Sequence, residues 1–478
     1  MAYDRALIDL TATEAVALLR RRAVSPLELV EAAAGRIAEV EPAVNALPIL
    51  CLDRARNQAR AVAAAPPRPG DPNWLGGLPL TIKDLEEVAG VRHTSGGSVL
   101  FENHVSERSG PVVELLEGNG GIPLGKSNSP EFGFNASTVN ALFGPTRNPF
   151  DTRLTVGGSS GGAAASVATG EAWMAHGSDL GSSIRLPAAF CSVVGLRPSP
   201  GRVPRPRKGM VFSMLPVIGP ITRTVADAGL MLDAMAGEVW TDPLSLPAAP
   251  PGTFAQAAST PRKPGRIGFS MDLGVTPVDP AVAAVVEAAI ARLAEAGAGI
   301  ERTAPDLSQG RDVFHAIRGV NHLAAFAPLI ALHGARVIPE IHSSTERAAG
   351  LPIVDYARAE NARAAMFQRL MDFLADHELL ICPTAIMTPF PAEWRRVERL
   401  GDHSFDSYID WIAITFTLSL TACPVISIPC GFTPAGMPVG LQILGRPRGE
   451  AALLRVAAWC EEVLGALGHR PVDPVIRH

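Results

Sequence analysis

Two short serine-rich segments contain the residue types from which a nucleophilic site can be built. Residues 157–162 (GGSSGG) place two serines between two pairs of glycines, and residues 177–187 (GSDLGSSIRLP) place two more after an aspartate. Glycine adopts backbone angles that other residues resist and lets a ligand approach the main chain closely. A serine hydroxyl becomes a strong nucleophile when a neighbouring base removes its proton. Both segments are therefore candidates for covalent catalysis.

The first segment has three competing interpretations. A flexible linker is disfavoured because structured apolar sequence flanks it, and a phosphate-binding loop is disfavoured because the lysine of a P-loop is missing. Gly157, Ser159 and Gly161 also match G-x-S-x-G, the nucleophile elbow of α/β-hydrolases, which makes Ser159 the nucleophile. That elbow follows a hydrophobic strand, whereas the preceding NPFDTRLTV contains only a short apolar patch. The elbow therefore fits its context poorly.

The second segment has the features of an anion-binding turn. Consecutive main-chain N–H groups of Leu180, Gly181, Ser182 and Ser183 can point into one concavity and hold a developing oxyanion. The alternative is a plain turn in which Asp179 is solvated. Spacing alone does not separate these two interpretations.

A lysine ends the apolar run GGLPLTIK at residues 76–83, which is typical of a buried strand. Lysine holds its proton at neutral pH, so Lys83 acts as a base only if burial and its neighbours lower its pKa. The alternative is an ordinary surface lysine at a strand end. On position alone both remain open.

The long run from Gly157 to Ser199 resembles the defining signature of the amidase signature family. Its serines at 159 and 183 stand 24 residues apart, as in that family. Further blocks resemble family motifs: GGLPLTIKD at 76–84, GKSNSPEFG at 125–133, FGPTRNP at 143–149, GPITRTVAD at 219–227, TACPVISIPCGF at 421–432 and PVGLQILGRP at 438–447. The resemblance spans roughly residues 10–465 and is weakest between 235 and 375.

This resemblance implies a hydrolase of amide-type carbon–nitrogen bonds that needs neither metal nor cofactor. It assigns Ser183 as the nucleophile that carries the acyl group, Ser159 as the bridging serine after a cis peptide bond, and Lys83 as the base. The expected oxyanion and substrate loop is Leu180, Gly181 and Ser182, and the expected supporting residues are Gly158, Ser160, Asp179 and Arg185. The alternative interpretation, that Lys83 is an ordinary surface lysine, becomes unfavourable once the two serines are considered.

Four positions depart from the family pattern, and one of them, Val156 in place of a customary proline, should matter little. Ser182 and Ser192 stand where the family usually has glycine, and Arg197 stands where lysine is more common. We expect Ser182 to be strained by a positive φ angle and its hydroxyl to crowd the substrate. The expected consequence is a reduced or altered activity.

The resemblance implies an α/β fold of one catalytic domain, 1–478, with a large twisted mixed β-sheet covered on both faces by α-helices and a helical cap. We divide the chain into N-terminal helices (1–65), the signature core (66–240), a linker (241–265), a variable helical cap part (266–378) and a C-terminal return to the sheet (379–478). Small residues predict a helix over 163–175, and amphipathic spacing predicts another from Pro280 to about Ala296. Late strands are predicted at 379–382, 425–430 and 439–444.

The helical stretch 309–373 contains Phe314, Phe326 and Phe367, which favours a roomy apolar pocket for bulky or aryl amides, anilides and carbamates (urethanes). Ordinary helix packing explains these aromatics equally well. Two other functions remain open: an A-type subunit of a tRNA-dependent amidotransferase, and a binding protein that has kept the fold and lost catalysis through Ser182.

Composition limits the partners. A net charge of −5 provides no excess of cations for a nucleic acid backbone. Six cysteines without paired short spacings argue against zinc and fit reduced thiols. The first residues lack a secretory pattern, and no window approaches the roughly 20 apolar residues of a membrane span. We expect a cytoplasmic monomer or homodimer acting on a small-molecule amide or carbamate, with no nucleic acid or membrane partner.

Overall fold

The computed structural model describes residues 3–65, 68, 70–206, 209–465 and 470–477. The α-helices in this part of the chain are α1 (Arg5–Asp9), α2 (Ala12–Arg20), α3 (Pro26–Val44), α4 (Leu52–Ala64), α5 (Pro111–Gly118), α6 (Gly161–Thr169), α7 (Arg185–Phe190), α8 (Val225–Met235), α9 (Thr253–Ala258), α10 (Pro280–Glu295), α11 (Gly310–His333), α12 (Pro339–Ala349), α13 (Ile353–Asp376), α14 (Ala413–Ser419) and α15 (Glu450–Leu464).

The strands in the same ranges are short and mostly buried. They are β1 (Ile49–Leu50), β2 (Pro79–Lys83), β3 (Ile122–Ser127), β4 (Val139–Asn140), β5 (Gly144–Pro145), β6 (Arg147–Asn148), β7 (Asp151–Thr155), β8 (Met174–Asp179), β9 (Val194–Arg197), β10 (Val217–Thr222), β11 (Arg266–Phe269), β12 (Gly299–Glu301), β13 (Leu379–Pro383), β14 (Arg399–Leu400), β15 (His403–Ser404), β16 (Val425–Phe432) and β17 (Pro438–Leu444).

One mixed sheet organises the described residues. Its eleven strands run in the order β1-β3-β2-β8-β10-β9-β16-β17-β13-β11-β12. The pairs β3/β2, β2/β8, β13/β11 and β11/β12 are parallel and the other neighbours are antiparallel. Helices flank this sheet, and the late strand β16 pairs with the early strand β9. The predicted α/β fold with one large mixed sheet is confirmed.

Two hydrophobic clusters meet where the signature segments lie. The larger one includes the β2 side chains Leu80 and Ile82, and Ile184 at the start of α7. The second includes Leu186 on α7 and packs against α11, α13 and the end of β17. Residues just before α7 therefore lie at the boundary between the two clusters.

The predicted helix over 163–175 is wrong in its second half. Helix α6 ends at Thr169, because Gly170 adopts the left-handed conformation with φ +80° that terminates helices. From Met174 the chain continues as β8, which pairs with both β2 and β10. Met174 and Ala175, which the small-residue composition assigned to the helix, therefore belong to the sheet.

The later elements follow the predictions closely. Helix α10 ends at Glu295, the strands β13, β16 and β17 lie where they were predicted, and α11, α12 and α13 account for the predicted helical segment. Within 241–265 the chain forms helix α9, which packs against α8 and α15 and buries Phe254. The division of the chain into five segments stays a prediction, and its boundary at Pro66 lies outside the described residues.

Among the residues that the structure describes, no helix combines the length and the apolar composition needed to cross a bilayer.

Candidate active site

Lys83 ends the fully buried strand β2 and directs its ammonium group into a cluster of serine hydroxyls. Its Nζ lies 2.6 Å from Ser159 Oγ, 2.9 Å from Ser160 Oγ and 3.1 Å from Ser178 Oγ. The lysine side chain is inaccessible to solvent. Three hydroxyls thus replace the water that normally surrounds an ammonium ion.

This burial changes the charge that Lys83 carries. Desolvation lowers the pKa of the Lys83 amine to about 7, against the opposing attraction of the Asp179 carboxylate. A neutral amine has two N–H donors and one lone pair, so two of the three hydroxyls accept a hydrogen bond and the third donates one. Ser159, whose Oγ is nearest, is the hydroxyl best placed to donate its proton to the lysine.

Ser159 is held between two tight backbone segments. The Gly158–Ser159 peptide bond is cis, as the family resemblance implies. On the other side Gly133, with φ +72°, lies so close that a Cβ there would be 3.3 Å from Ser159 Oγ and 2.9 Å from the Leu85 side chain. The loop that contains Gly133 therefore forms a wall directly against this hydroxyl.

Of the three serines predicted for the site, Ser159, Ser160 and Ser183, Ser183 is the one that is partly exposed to solvent. Ser159 is only 2% exposed and Ser160 is fully buried, whereas Ser183 is half-buried. The Ser183 carbonyl accepts a hydrogen bond of 3.0 Å from the N–H of Ser160, which joins the two serine-rich segments through their main chains. The structure thus brings together all three serines and the lysine predicted for the site.

The peptide units before α7 are oriented by bonds to their carbonyl groups. Arg185 Nη2 and Ser419 Oγ donate to the Gly181 carbonyl at 2.9 and 3.2 Å, and the Leu186 N–H donates to the Ser182 carbonyl at 2.8 Å. No described residue accepts a hydrogen bond from the main-chain N–H groups of Gly181, Ser182 or Ser183. These N–H groups are therefore available to a ligand.

A buried ion cluster supports this loop from behind. Asp179 accepts hydrogen bonds from Arg185 Nε at 3.0 Å and from the Ile184 N–H at 3.2 Å, and Arg197 approaches it at 3.3 Å. Burial opposes ionisation of Asp179, but the two guanidinium groups lower its pKa to about 2. Arg185 also donates to Gln442 Oε1 at 3.0 Å and thereby ties the loop to β17.

The expectation for Ser182 is wrong on both counts. Ser182 is not among the residues with positive φ, because the chain needs no left-handed turn at this point. Its Oγ is buried and has no hydrogen-bond partner, so the hydroxyl points into the protein and does not crowd a substrate. Ser192 is the position that does adopt a glycine-like conformation, with φ +53°.

Two residues of β8 that sequence reasoning missed also contact Lys83. Ser178 supplies the third hydroxyl, and His176 Nδ1 accepts a hydrogen bond of 3.3 Å from the Lys83 main-chain N–H. Burial, followed by the charges of Lys83 and Lys126, lowers the pKa of His176 to about 3. Alternation along β8 was the available signal, because residues two apart in a strand share a face.

An aromatic wall follows Gly133. Phe134 lies 4.6 Å from the His322 ring, 5.7 Å from Phe326 and 6.0 Å from Tyr408, measured between ring centroids. Phe314, another predicted pocket residue, stacks on Phe416 at 4.2 Å and packs over Gly181. Phe367 is instead 36% exposed. Two of the three predicted aromatics thus lie near the signature loops.

In the described ranges of the chain, no group of three or more histidine, cysteine, aspartate or glutamate side chains is arranged to hold a metal ion.

Comparison with known proteins identifies this arrangement. The family model Amidase matches residues 28–454. This chain belongs to the amidase signature family. Among its relatives, an acylamidase of Rhodococcus erythropolis is 36% identical over 98% of both chains. The A-type subunit of the glutamyl-tRNA(Gln) amidotransferase of Moorella thermoacetica is 35% identical over 94% of this chain and 95% of that protein.

Solved structures of the amidase signature family agree with the fold. A bacterial aryl acylamidase superposes with a TM-score of 0.87 at 28% identity, covering 96% of this chain and 97% of that one. A 6-aminohexanoate cyclic dimer hydrolase complexed with substrate gives a TM-score of 0.84 at 26% identity, covering 97% and 99%. The chain is therefore an amidase signature enzyme that hydrolyses carbon–nitrogen amide bonds.

Proposed function

We propose that this enzyme hydrolyses bulky or aryl acyl amides, anilides and carbamates through an acyl-enzyme on Ser183, with Ser159 as proton relay and Lys83 as base. One observation carries the proposal. The buried Lys83 amine, whose pKa is lowered to about 7, lies 2.6 Å from the Ser159 hydroxyl beside the accessible Ser183. A base that is neutral near physiological pH is what serine activation requires.

In the proposed acylation step, Ser183 Oγ attacks the carbonyl carbon while its proton moves to Ser159 and the Ser159 proton moves to Lys83. The unpaired N–H groups of Gly181, Ser182 and Ser183 hold the oxyanion, which is commonly the largest electrostatic contribution in acyl transfer. The carbon–nitrogen bond then breaks, and the amine leaves with the proton returned through Ser159. Water releases the acid by the same route.

The preference for a bulky or aryl group is supported by the wall that Phe134, Phe326 and Tyr408 form next to Gly133. The relatives named as an acylamidase and an aryl acylamidase support the same preference. We further propose that the enzyme acts in the cytoplasm on small molecules as a monomer or homodimer. The six unpaired cysteines of the described chain support this location.

The proposal is tested by combining kinetics with active-site labelling. Wild type, Ser183→Ala, Ser159→Ala and Lys83→Ala are assayed on a panel of anilides, esters and carbamates, and each is treated with a fluorophosphonate probe. We expect losses in kcat of about 10³-fold or more for each variant and a mass adduct on the peptide containing Ser183. Full turnover by Ser183→Ala with a label on Ser159 would instead support the nucleophile-elbow interpretation.

A second candidate is an A-type amidotransferase subunit, which the similarity to the glutamyl-tRNA(Gln) amidotransferase subunits favours. Glutamine then replaces acyl anilides as the amide donor. Glutamine hydrolysis in the absence of anilide turnover would support this candidate. A folded protein that neither turns over the panel nor reacts with fluorophosphonate would indicate a binding protein.

A further inference from the structure

Arg318 is a nearly buried cation without an acidic partner. It lies in the middle of α11, is 8% exposed, and donates a hydrogen bond from Nη2 to the Tyr408 hydroxyl. Its guanidinium carbon lies 4.8 Å from the centre of the Phe134 ring and 5.5 Å from that of Tyr408. No described carboxylate lies within ion-pair distance of it. A charge withdrawn from water in this way is costly unless another group compensates it.

The remaining guanidinium nitrogens have no hydrogen-bond partner among the described residues, and they retain a small solvent-accessible surface. A guanidinium offers five N–H donors in a fixed planar fork, and only one donor group of Arg318 is occupied. The other donors of Arg318, which lie beside the Phe134 ring, are therefore free to bind a ligand.

The neighbouring titratable groups leave this positive charge uncompensated. Burial, followed by the charge of Arg318, lowers the pKa of His322 well below its ordinary value, so this ring stays neutral. Desolvation raises the pKa of the Tyr408 phenol, which also stays neutral. Glu340 is close enough to act on that phenol but is paired with Arg395 at 3.2 Å.

The position of Arg318 relative to the serines connects it with catalysis. The Phe134 ring on which it stacks follows Gly133 directly, and Gly133 lies against Ser159 Oγ. The aromatic wall thus begins at the residue next to the glycine that lies against the Ser159 hydroxyl. The planar fork of arginine matches a carboxylate, which can accept two parallel hydrogen bonds from it.

We propose that Arg318 forms a carboxylate-binding subsite of the substrate pocket, and that the preferred substrates are aryl or acyl amides with a negatively charged carboxylate on one side of the scissile bond. This inference rests on the proposed function, because it assigns a substrate class to the same site. The aromatic wall receives the apolar body of the substrate, and Arg318 receives its carboxylate.

Two matched substrate pairs test the subsite. Succinyl-4-nitroanilide is compared with its neutral monomethyl ester, which places the charge on the acyl side. 4-Acetamidobenzoate is compared with 4-acetamidotoluene, which places it on the amine side. We expect wild type to favour at least one charged member in kcat/KM by about tenfold or more, as a charge-assisted bidentate hydrogen bond provides.

Three variants separate recognition from a structural role. Arg318→Gln is expected to lower kcat/KM for the favoured charged substrate by about 10- to 100-fold and to change its neutral partner by less than about threefold. Arg318→Lys keeps the charge and should recover part of the preference. The control Arg311→Gln lies on the same helix, but its guanidinium is already paired with Asp406 and Asp410, so the preference should persist.

Binding is measured independently of turnover. The charged and neutral members of both pairs are added to each protein in a Ser183→Ala background, which prevents hydrolysis, and the shifts in Tm are compared. The larger shift expected for a charged member should disappear in Arg318→Gln. Equal responses of wild type to both members of both pairs, or an equal loss for both members in Arg318→Gln, would overturn the proposal. If Arg318→Gln fails to fold, the proposal is tested by the preference of wild type for a charged substrate and by the size of that preference in Arg318→Lys. Absence of turnover and of fluorophosphonate labelling counts against the proposed function, while the Tm comparison still tests the subsite.

Discussion

The Nζ atom of Lys83 lies 2.6 Å from the Oγ of Ser159 in a position that solvent does not reach. The lysine cannot keep its ordinary proton affinity there, since burial penalises the charged form. The contact therefore makes the charge of Lys83 responsive to pH in the range where the enzyme is expected to work. Its consequence can be measured directly.

The rate should rise with pH as Lys83 loses its proton. Because its pKa is lowered to about 7, kcat/KM for an anilide is expected to fall about tenfold per pH unit below that value and to level off above it. Ser178→Ala removes a hydroxyl that accepts from the ammonium group, which destabilises the charged form and should move the acidic limb to lower pH. A profile that is flat between pH 5 and 9 would contradict the role of Lys83 as base.

Glycine substitutions at Ser182 and Ser192 should change stability in opposite directions. Ser192→Gly relieves a positive φ of 53° and is expected to raise the free energy of unfolding by about 0.5 to 1 kcal/mol. Ser182→Gly adds backbone freedom without relieving a positive φ, so it is expected to lower that energy by a similar amount, about 0.5 to 1 kcal/mol. Urea unfolding of both variants measures the difference.

Ser182→Ala provides the control for that pair. It keeps the backbone restraint and removes a buried hydroxyl that has no partner, so stability should be unchanged or increased. Activity should stay within about threefold of wild type, since the hydroxyl points away from the substrate. A large loss of kcat in this variant would show that the Ser182 side chain contributes to the oxyanion site.

Asp179→Asn should unfold more easily and turn over more slowly. The substitution leaves two buried guanidinium groups, Arg185 and Arg197, without their carboxylate, and such a loss typically costs about 3 to 5 kcal/mol. The Gly181 carbonyl, which Arg185 holds together with Ser419, then loses one of its two restraints. Chemical denaturation together with kcat on an anilide checks both effects. Wild-type stability would show that the arginines find other partners.

His176 should make the enzyme sensitive to acid. Its pKa is lowered to about 3 in the folded protein, so the unfolded chain takes up the proton first and stability falls as pH drops below about 6.5. Between about pH 6.5 and pH 3, this residue should lower the free energy of unfolding by about 1.4 kcal/mol per pH unit. Below the folded pKa of about 3 its contribution to the slope ends. In His176→Leu that share of the slope should disappear.

The same variant has a cost at higher pH. His176→Leu leaves the Lys83 N–H without its acceptor, so stability at pH 8 should fall by about 1 to 3 kcal/mol. His176→Asn, which retains an acceptor oxygen, should lose less. Unfolding curves at pH 5 and pH 8 for the three proteins separate the two effects. An acid slope as steep in His176→Leu as in wild type would assign it to other groups.

Sequence reasoning succeeded where the determining contacts are local. The apolar run that ends at Lys83 and the glycine pairs around Ser159 predict a buried strand and a tight loop because each depends on neighbouring residues. The family resemblance, which includes the 24-residue spacing from Ser159 to Ser183, predicted that the two serine-rich segments form one site.

The remaining features depend on contacts between distant parts of the chain. The Ser182 hydroxyl is buried by tertiary packing, and the residues next to it in the sequence do not predict that orientation. Arg318 is one of two arginines on its helix, and only the contacts with Phe134 and Tyr408 distinguish it from Arg311. Gly170 is a local signal for the end of α6 at Thr169. The partners of the following strand β8 are β2 and β10, which lie elsewhere in the sequence, so no local pattern predicts that strand.

The arrangement of the three helices α11, α12 and α13 affects how such an enzyme can diversify. They form one uninterrupted stretch of the chain and contribute Arg318, His322 and Phe326, whereas Lys83, Ser159 and Ser183 all come from earlier residues. Two crossovers between related genes can therefore exchange this part of the wall as a unit and leave every hydroxyl around the lysine in place. Chimeras made at these boundaries are a direct route to new specificities on an unchanged catalytic scaffold.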